Sequence, residues 1–322
     1  MSGGLFATAV SATLTLGSVP LASPASASLP SAVLPPPAVP LAAPPDASPD
    51  SAMTLATGLD RIARMTVSVF VNDRGPFQFV VDTGATRTIL SSALAARLAL
   101  PAGKTAQVHD IAGTNGVATA MVDRIRVGSR QVDNITAPLL SASDMGADGI
   151  LGIDSLVDQQ VVMDFSAETM TISPPRRAVS EPDTIVVKAR RRFGQLILAD
   201  ARVEGRRIYV IVDSGAEYSI GNSVLREWLL GRKRRPVAER IVLIGVTGRT
   251  LTADYIVAPM LKIGNITFKG VPIAFSDAHP FRQFGLEKEP AMLLGMDLLR
   301  SFGRVSLDFE QKRVRFTMKE PD

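Results

Sequence analysis

The sequence predicts an all-β protein of two homologous lobes related by a pseudo-twofold axis, each with one or two short helices. Three observations carry that expectation. β-type runs ended by turn residues dominate the chain, helical signals are few and brief, and the second half repeats the first.

The chain has 322 residues, 46% of them hydrophobic, which is ample for sizeable cores. Its formal net charge of +4 is too small to point to nucleic acid or another polyanion. The N-terminus, "MSGGLFATAVSATLTLGSVPLASPASAS", has an apolar core from Leu5 to Leu21 and an Ala25-Ser26-Ala27 triplet that fits a signal-peptidase site, although no basic residue precedes Arg61. Residues 1–27 are therefore expected to be a signal peptide, exporting the protein to a periplasm or beyond; a cytoplasmic location follows if the segment is an ordinary leader. Gly, Ser and Pro interrupt the run and no basic stop follows it, so no permanent membrane span is expected. Residues 28–52 are so rich in Pro and Ala that they read as an extended linker.

The N-terminal lobe is expected over 53–173 and the C-terminal lobe over 185–322, with the proline-bearing stretch at 174–184 as the linker between them. "MTVSVFVNDRGPFQFVVDTGATRTILSS" (65–92) matches "LILADARVEGRRIYVIVDSGAEYSIGNS" (196–223) in its alternation, its turn and its acid. "IAGTNGVATA" (111–120) resembles "IGVTGRTLTA" (244–253), and "RIRVGSRQVDNI" (124–135) pairs with "MLKIGNITFKGV" (260–271). "GILGIDSL" (149–156) answers "MLLGMDLL" (292–299), and "MDFSAETMTI" (163–172) answers "LDFEQKRVRF" (307–316). The offset starts at 213 − 82 = 131 residues and grows to 308 − 164 = 144, as loop insertions in one half of a duplicated domain would make it. "SALAARLAL" (92–100) and "SVLREWLLGRK" (223–233) follow the repeated acid and carry apolar residues at helical spacing, so each lobe should have a helix there, with a second after its Leu-Gly.

The residue inventory narrows the chemistry. The chain has no cysteine and two histidines, His109 and His279, so disulfides, thiolate nucleophiles and Cys-based zinc sites are excluded, and a His-dependent triad or three-His metal site has almost nothing to draw on. Carboxylates remain. In each copy an Asp follows directly on an apolar strand, so a buried strand holds its backbone while a turn presents its carboxyl. If the lobes pack about a twofold axis, Asp82 and Asp213 meet. Two carboxylates about 3 Å apart share one proton and titrate as a pair. Such a pair activates a water: one carboxylate takes its proton as it attacks a carbonyl carbon, and the protonated partner donates to the carbonyl oxygen. No metal or cofactor is called for.

These residues resemble the aspartic peptidases, specifically the retropepsin-like group: "VVDTGAT" and "VIVDSGAE", each followed later by an apolar-apolar-Gly segment, Ile150-Leu151-Gly152 and Leu293-Leu294-Gly295. The resemblance covers roughly residues 60–318 and implies two retropepsin-like acid-protease lobes in one chain, a duplicated form of an arrangement that retroviral members reach by homodimerisation. It implies that Asp82 and Asp213 are the catalytic dyad. Thr83 and Ser214 would cross-brace the two active loops, Gly84 and Gly215 would shape them, and Gly152 and Gly295 would pack behind them. The turns Gly113-Thr114-Asn115-Gly116 and Gly245-Val246-Thr247-Gly248 would be flaps over an extended peptide. Retroviral proteases commonly carry acidic residues just after Asp-Thr-Gly-Ala, whereas this chain has Thr86-Arg87 and Glu217-Tyr218. No pepsin-like flap Tyr stands in either Gly turn, and Tyr255 lies too far along for that role.

The expected function is therefore an aspartic endopeptidase acting on extended polypeptides as a monomer. The alternatives are a catalytically silent peptide-binding module of the same fold and, less in keeping with the symmetric Asp-Thr/Ser-Gly context, a dicarboxylate glycosidase. The other conspicuous residues take structural readings. Asp154 and Asp297 are expected to cap helices, Asp164 and Asp308 to stabilise turns, His109 to lie on the surface and His279 in a loop. The basic runs Arg190–Arg192 and Arg232–Arg235 are read as solvated faces, with no nucleic-acid partner.

Overall fold

The computed structural model describes residues 5–6, 10–13, 53–56, 58–59, 64–128, 130–156, 158–174, 184–192, 194–231 and 239–319. Most of the expected signal peptide (1–27), all of the Pro/Ala linker (28–52), residues 175–183 of the interlobe stretch and Arg232–Arg235 lie outside them.

Strand Met65–Val71 alternates in burial, so one of its faces packs inward, and it turns back on Arg74–Val81 through Asn72 and Asp73, both at positive φ (47° and 60°), the geometry of a two-residue hairpin turn that matches strand twist. The equivalent hairpin of the second half, Gln195–Val203 with Arg206–Val212, turns through Glu204 (φ 49°) and Gly205 (φ 78°). From there the two halves repeat pairing by pairing. The N-lobe sheet runs Thr119–Val127, Arg130–Leu140, Ile89–Ser91, Gly149–Leu151, Arg74–Val81, Met65–Val71, and closes on itself where Thr119–Val127 also pairs with Met65–Val71. The C-lobe order is Thr250–Ile263, Ile266–Phe275, Ile220–Gly221, Ala291–Leu294, Arg206–Val212, Gln195–Val203, closed in the same way. Both lobes are thus barrel-like, and the chain has the expected all-β, two-lobed class.

The helices after the acids form over Ser92–Arg97 and Ser223–Leu230. Each is started by an equivalent residue: Ser91 Oγ accepts from the Leu94 amide at 3.1 Å and Asn222 Oδ1 from the Leu225 amide at 3.0 Å. The helical turns after Leu-Gly are there too, as a 3₁₀ turn at Ile153–Ser155 and a helix at Met296–Leu299. Two further short helices, Ala142–Met145 and His279–Gln283, were not legible in the sequence because each is a single turn without an apolar period of its own. Among the described residues no helix is long and apolar enough to cross a membrane.

A third layer joins the lobes. Gln160–Asp164 and Thr169–Ser173 of the first half lie beside Phe302–Asp308, Arg313–Met318 and Thr184–Arg192 of the second, all antiparallel. Where the equivalent strands meet, Asp164 pairs with Arg304 and Gln160 with Asp308, a self-complementary register about Val162 and Ser306. Arg304 Nε reaches Asp164 Oδ2 at 3.2 Å, and Gln160 Nε2 donates to Ser306 Oγ at 2.9 Å. One apolar core continues through both lobes and this layer, from Val67 and Phe79 to Leu198, Phe302 and Phe316. Arg190–Arg192 are exposed, as a solvated face requires.

Phe302 is fully buried, edge-on to Phe268 at 5.3 Å and tilted on Phe316 at 4.6 Å. Phe302→Ala should cost about 3–5 kcal/mol of stability in a denaturant titration monitored by circular dichroism, the range for emptying an aromatic core site.

Candidate active site

Each acid sits where a buried strand stops. Val80-Val81 and Ile211-Val212 are sealed in the core, with the parallel strands Gly149–Leu151 and Ala291–Leu294 alongside. The Asp82 amide donates to Leu151 O at 3.1 Å and the Asp213 amide to Leu294 O at 3.0 Å, so the backbone at both acids is pinned by the neighbouring strand before the chain turns away. Both side chains are 0% exposed. The turn supplies amides to the carboxyls: Gly84 N and Ala85 N donate to Asp82 Oδ1 at 2.7 and 2.9 Å, and Gly215 N donates to Asp213 Oδ1 at 3.0 Å. The structure brings the two acids together, since a Cβ built on Gly215 would overlap the Asp82 carboxyl. Glycine stands there because the loop carrying one acid lies against the other acid. Burial pushes the Asp82 carboxyl up to about 6. The Gly84 amide, the Arg64 charge, the Ala85 amide and the neighbouring Asp213 carboxyl pull against that rise without overcoming it.

The loops are held by a reciprocal brace. Thr83 Oγ1 donates to Val212 O at 3.0 Å and accepts from the Ser214 amide at 3.0 Å, while Ser214 Oγ donates to Val81 O at 2.9 Å and accepts from the Thr83 amide at 3.1 Å. Each hydroxyl uses its proton and a lone pair on the other lobe's backbone. Gly152 and Gly295 lie behind, packed so closely on the backbones of Arg87–Thr88 and Tyr218 that no side chain would fit. Asp154 and Asp297 are not the helix caps they were expected to be, since the N-caps are Gly152 and Gly295. Asp154 accepts from the Thr88 amide at 2.9 Å and its hydroxyl at 2.8 Å, and Asp297 accepts from the Ser219 amide at 2.9 Å and hydroxyl at 2.7 Å. They tie the far end of each active loop to the segment after Leu-Gly. Asp164 and Asp308 keep the expected turn role, accepting the amides of Ser166, Ala167 and Gln311.

Two buried residues were missed by the sequence reading. Arg64 donates to Gly215 O at 3.4 Å and to Met145 O, and Gln195 donates to Gly84 O. Each therefore reaches from the start of its own lobe to the active glycine of the other. Their separation, 195 − 64 = 131, is the offset of the two acids, so extending the repeat one residue upstream would have found them.

Two hairpins hold the residues expected to form flaps. The second, Glu239–Gly245 with Thr250–Ile263, turns at Val246-Thr247-Gly248 with Gly248 at φ 77°, as expected. The first turns earlier than expected: Ile111-Ala112 link Ala106–Asp110 to Gly113–Val117, and Gly116 sits within the returning strand opposite Gln107. The reason is Asp110, whose Oδ1 accepts the Ala112 and Gly113 amides at 2.9 and 3.0 Å and closes the reversal itself. The tips cross. Ile111, 1% exposed, packs with Phe281 and Ala278 of the C-lobe, and Val246 packs with Ala85, Val108 and Met145 of the N-lobe. Thr247 Oγ1 donates to Asp110 and accepts from Asn115 Nδ2 at 2.9 Å. Tyr255 stands opposite Glu239, at the end of its hairpin remote from the turn, edge-on to Tyr218 at 6.4 Å. The histidines differ from their expected placing: His279 opens the helix His279–Gln283 and lies 2.9 Å from His109. Among the described residues no group of three or more His, Cys, Asp or Glu could hold a metal ion.

Comparison with known families finds the same duplication. Residues 67–158 match the family model of gag-polyprotein aspartyl proteases, and residues 199–298 match a second, the aspartyl protease family. No curated protein matches the chain.

Thr83→Val removes both bonds of one hydroxyl and leaves the Ser214 amide and Val212 carbonyl buried without partners. A loss of about 2–6 kcal/mol in denaturant unfolding is expected, from one to three kcal/mol per orphaned group, whereas Thr83→Ser should unfold near wild type.

Proposed function

Since the chain belongs to the retropepsin-like aspartic proteases in duplicated form, we propose that it is an endopeptidase that hydrolyses peptide bonds of extended polypeptides with a water activated by Asp82 and Asp213. The observation that carries this reading is the pair of buried carboxyls held against each other by the Thr83–Ser214 brace, with one of them pushed up to about 6. A pair that shares one proton in mild acid has both a base and an acid ready. The water oxygen adds to the peptide carbonyl carbon as its proton passes to the ionised carboxylate, and the protonated carboxyl gives its proton to the carbonyl oxygen. Collapse of the resulting diol breaks the C–N bond and delivers a proton to the leaving nitrogen, so that a carboxyl and an amine depart and the dyad again holds one proton. Gly84 and Gly215, whose amides face the acids, keep the carboxyls oriented through these steps.

The flaps favour a peptide as the substrate. Their outgoing strands have edges that take up short strands of the chain's own N-terminal segment: Leu5–Phe6 pairs parallel to Ala106–Asp110, and Val10–Thr13 antiparallel to Glu239–Gly245. A single extended peptide crossing a twofold groove has to run parallel to one equivalent strand and antiparallel to the other. The pairing is therefore what strand addition of a polypeptide would produce.

Unfolded casein should be cleaved by the purified protein, and Asp82→Asn or Asp213→Asn should lower kcat/KM by at least two to four orders of magnitude, the worth of a positioned acid or base. Cleavage by both variants at the wild-type rate would rule the dyad out, and no cleavage by well-folded wild type would leave a silent binding module. Cleavage should also fall as pH rises through about 6, because the dyad then loses the shared proton.

A further inference from the structure

The two histidines of the chain are 170 residues apart in sequence and meet in the fold. His109 is the penultimate residue of the N-lobe flap's outgoing strand, and His279 begins the helix His279–Gln283 of the C-lobe. Their ring centroids are 5.1 Å apart with 7° between planes, and His109 Nδ1 is 2.9 Å from His279 Nε2. Gln283 Nε2 lies 2.8 Å from the first of these nitrogens and 3.0 Å from the second, and Thr114 Oγ1 lies 2.9 Å from His109 Nδ1. The His279 amide donates to Ile111 O at 3.0 Å, beside the Ile111 side chain in its C-lobe pocket with Phe281. The imidazole pair thus sits on the seam between this flap and the opposite lobe.

A nitrogen-to-nitrogen contact of this length needs a proton on one ring and a lone pair on the other. If both rings are protonated the lone pair is gone, and two cations face each other across a half-buried seam. The charged groups around the pair do not relieve this. Asp110 is adjacent, but its carboxylate is engaged by the Ala112 and Gly113 amides and the Thr247 hydroxyl. Arg282 lies on the same helix as His279, and Arg249 of the other flap lies against Gly113. Burial holds both imidazoles below the ordinary histidine range; His109 and Arg282 press His279 down further, and Asp110 works against the shift at both.

We propose that His109 and His279 form an acid-released latch that holds the N-lobe flap closed over the acids when at least one ring is neutral and lets it open when both are charged. The inference rests on the reading of the Asp82–Asp213 pair as a hydrolytic centre that substrate reaches beneath the flaps. The sign follows from linkage. The closed flap disfavours the second proton, so it binds fewer protons than the open one. The latch's contribution to closure is fully present above the ordinary histidine pKa of about 6.5 and is lost as pH falls below it. Mild acid would then free the flap over the same range in which the dyad acquires its shared proton.

The test uses full-length, untagged protein carrying Asp82→Asn, so that the flap is read without catalysis and without the native dyad titration. Amide hydrogen exchange of 106–117, corrected for intrinsic rates, should quicken by about tenfold or more between pH 7.5 and pH 5, a factor of ten per pKa unit of differential protonation. With His279→Gln added, which keeps a neutral hydrogen-bonding group, that pH dependence should vanish while protection at pH 7.5 persists. Ring NMR of two histidines gives a second readout: both should titrate below the ordinary range, and their midpoints should move when the other is replaced. Flap exchange that is independent of pH in the parent, or a pH dependence that survives His279→Gln, would overturn the latch. Neither result bears on peptide hydrolysis, which the casein assay decides separately.

Discussion

The whole molecule depends on holding two carboxyl groups, delivered by different halves of the chain, face to face and out of water. That arrangement opposes itself electrostatically and costs desolvation, so it persists only where the surrounding backbone cannot move. The Thr83–Ser214 brace provides this. Because each hydroxyl is spent on the carbonyl before the other acid and on an amide of the other loop, neither loop can shift without stranding buried polar groups in both lobes. The pinned strands beneath, and Asp154 and Asp297 beyond, extend the same rigidity outwards.

Symmetry explains the economy of the design, and departures from it give the site two unlike sides. Equivalent strands meet antiparallel in the interlobe layer, as identical surfaces do across a twofold axis, although here one chain supplies both. Around the acids the copies have diverged. A cation, Arg64, reaches one active glycine where a neutral amide, Gln195, reaches the other. Thr86-Arg87 follows one acid and Glu217-Tyr218 the other, and the imidazole pair joins the N-lobe hairpin Ala106–Asp110 with Gly113–Val117 to the C-lobe. A duplicated chain can accumulate such differences because each half mutates independently, which a homodimer cannot do.

Much of this was legible in the sequence because it is written locally. The two-residue period of "TVSVFV", the helical spacing after each acid and the repeated Asp-Thr/Ser-Gly-Ala depend on neighbours a few positions away, and the internal repeat doubled each signal. The two all-β lobes and the repeated acids followed from these, and the family from the resemblance those motifs carry.

What only the tertiary structure decided are contacts between residues that no local pattern relates. Asp110, not a glycine, closes the first hairpin; Ile111 and Val246 cross into the opposite lobes; Arg64 and Gln195 reach over to the active loops; and two histidines that read as surface and loop residues meet ring nitrogen to ring nitrogen. Sequence determines the side-chain period and the turn chemistry of each element, because backbone sterics and nearest hydrogen bonds act over a few residues. Which side chains meet across the seam is set by how two closed barrels dock, and that depends on the packing of all of them at once.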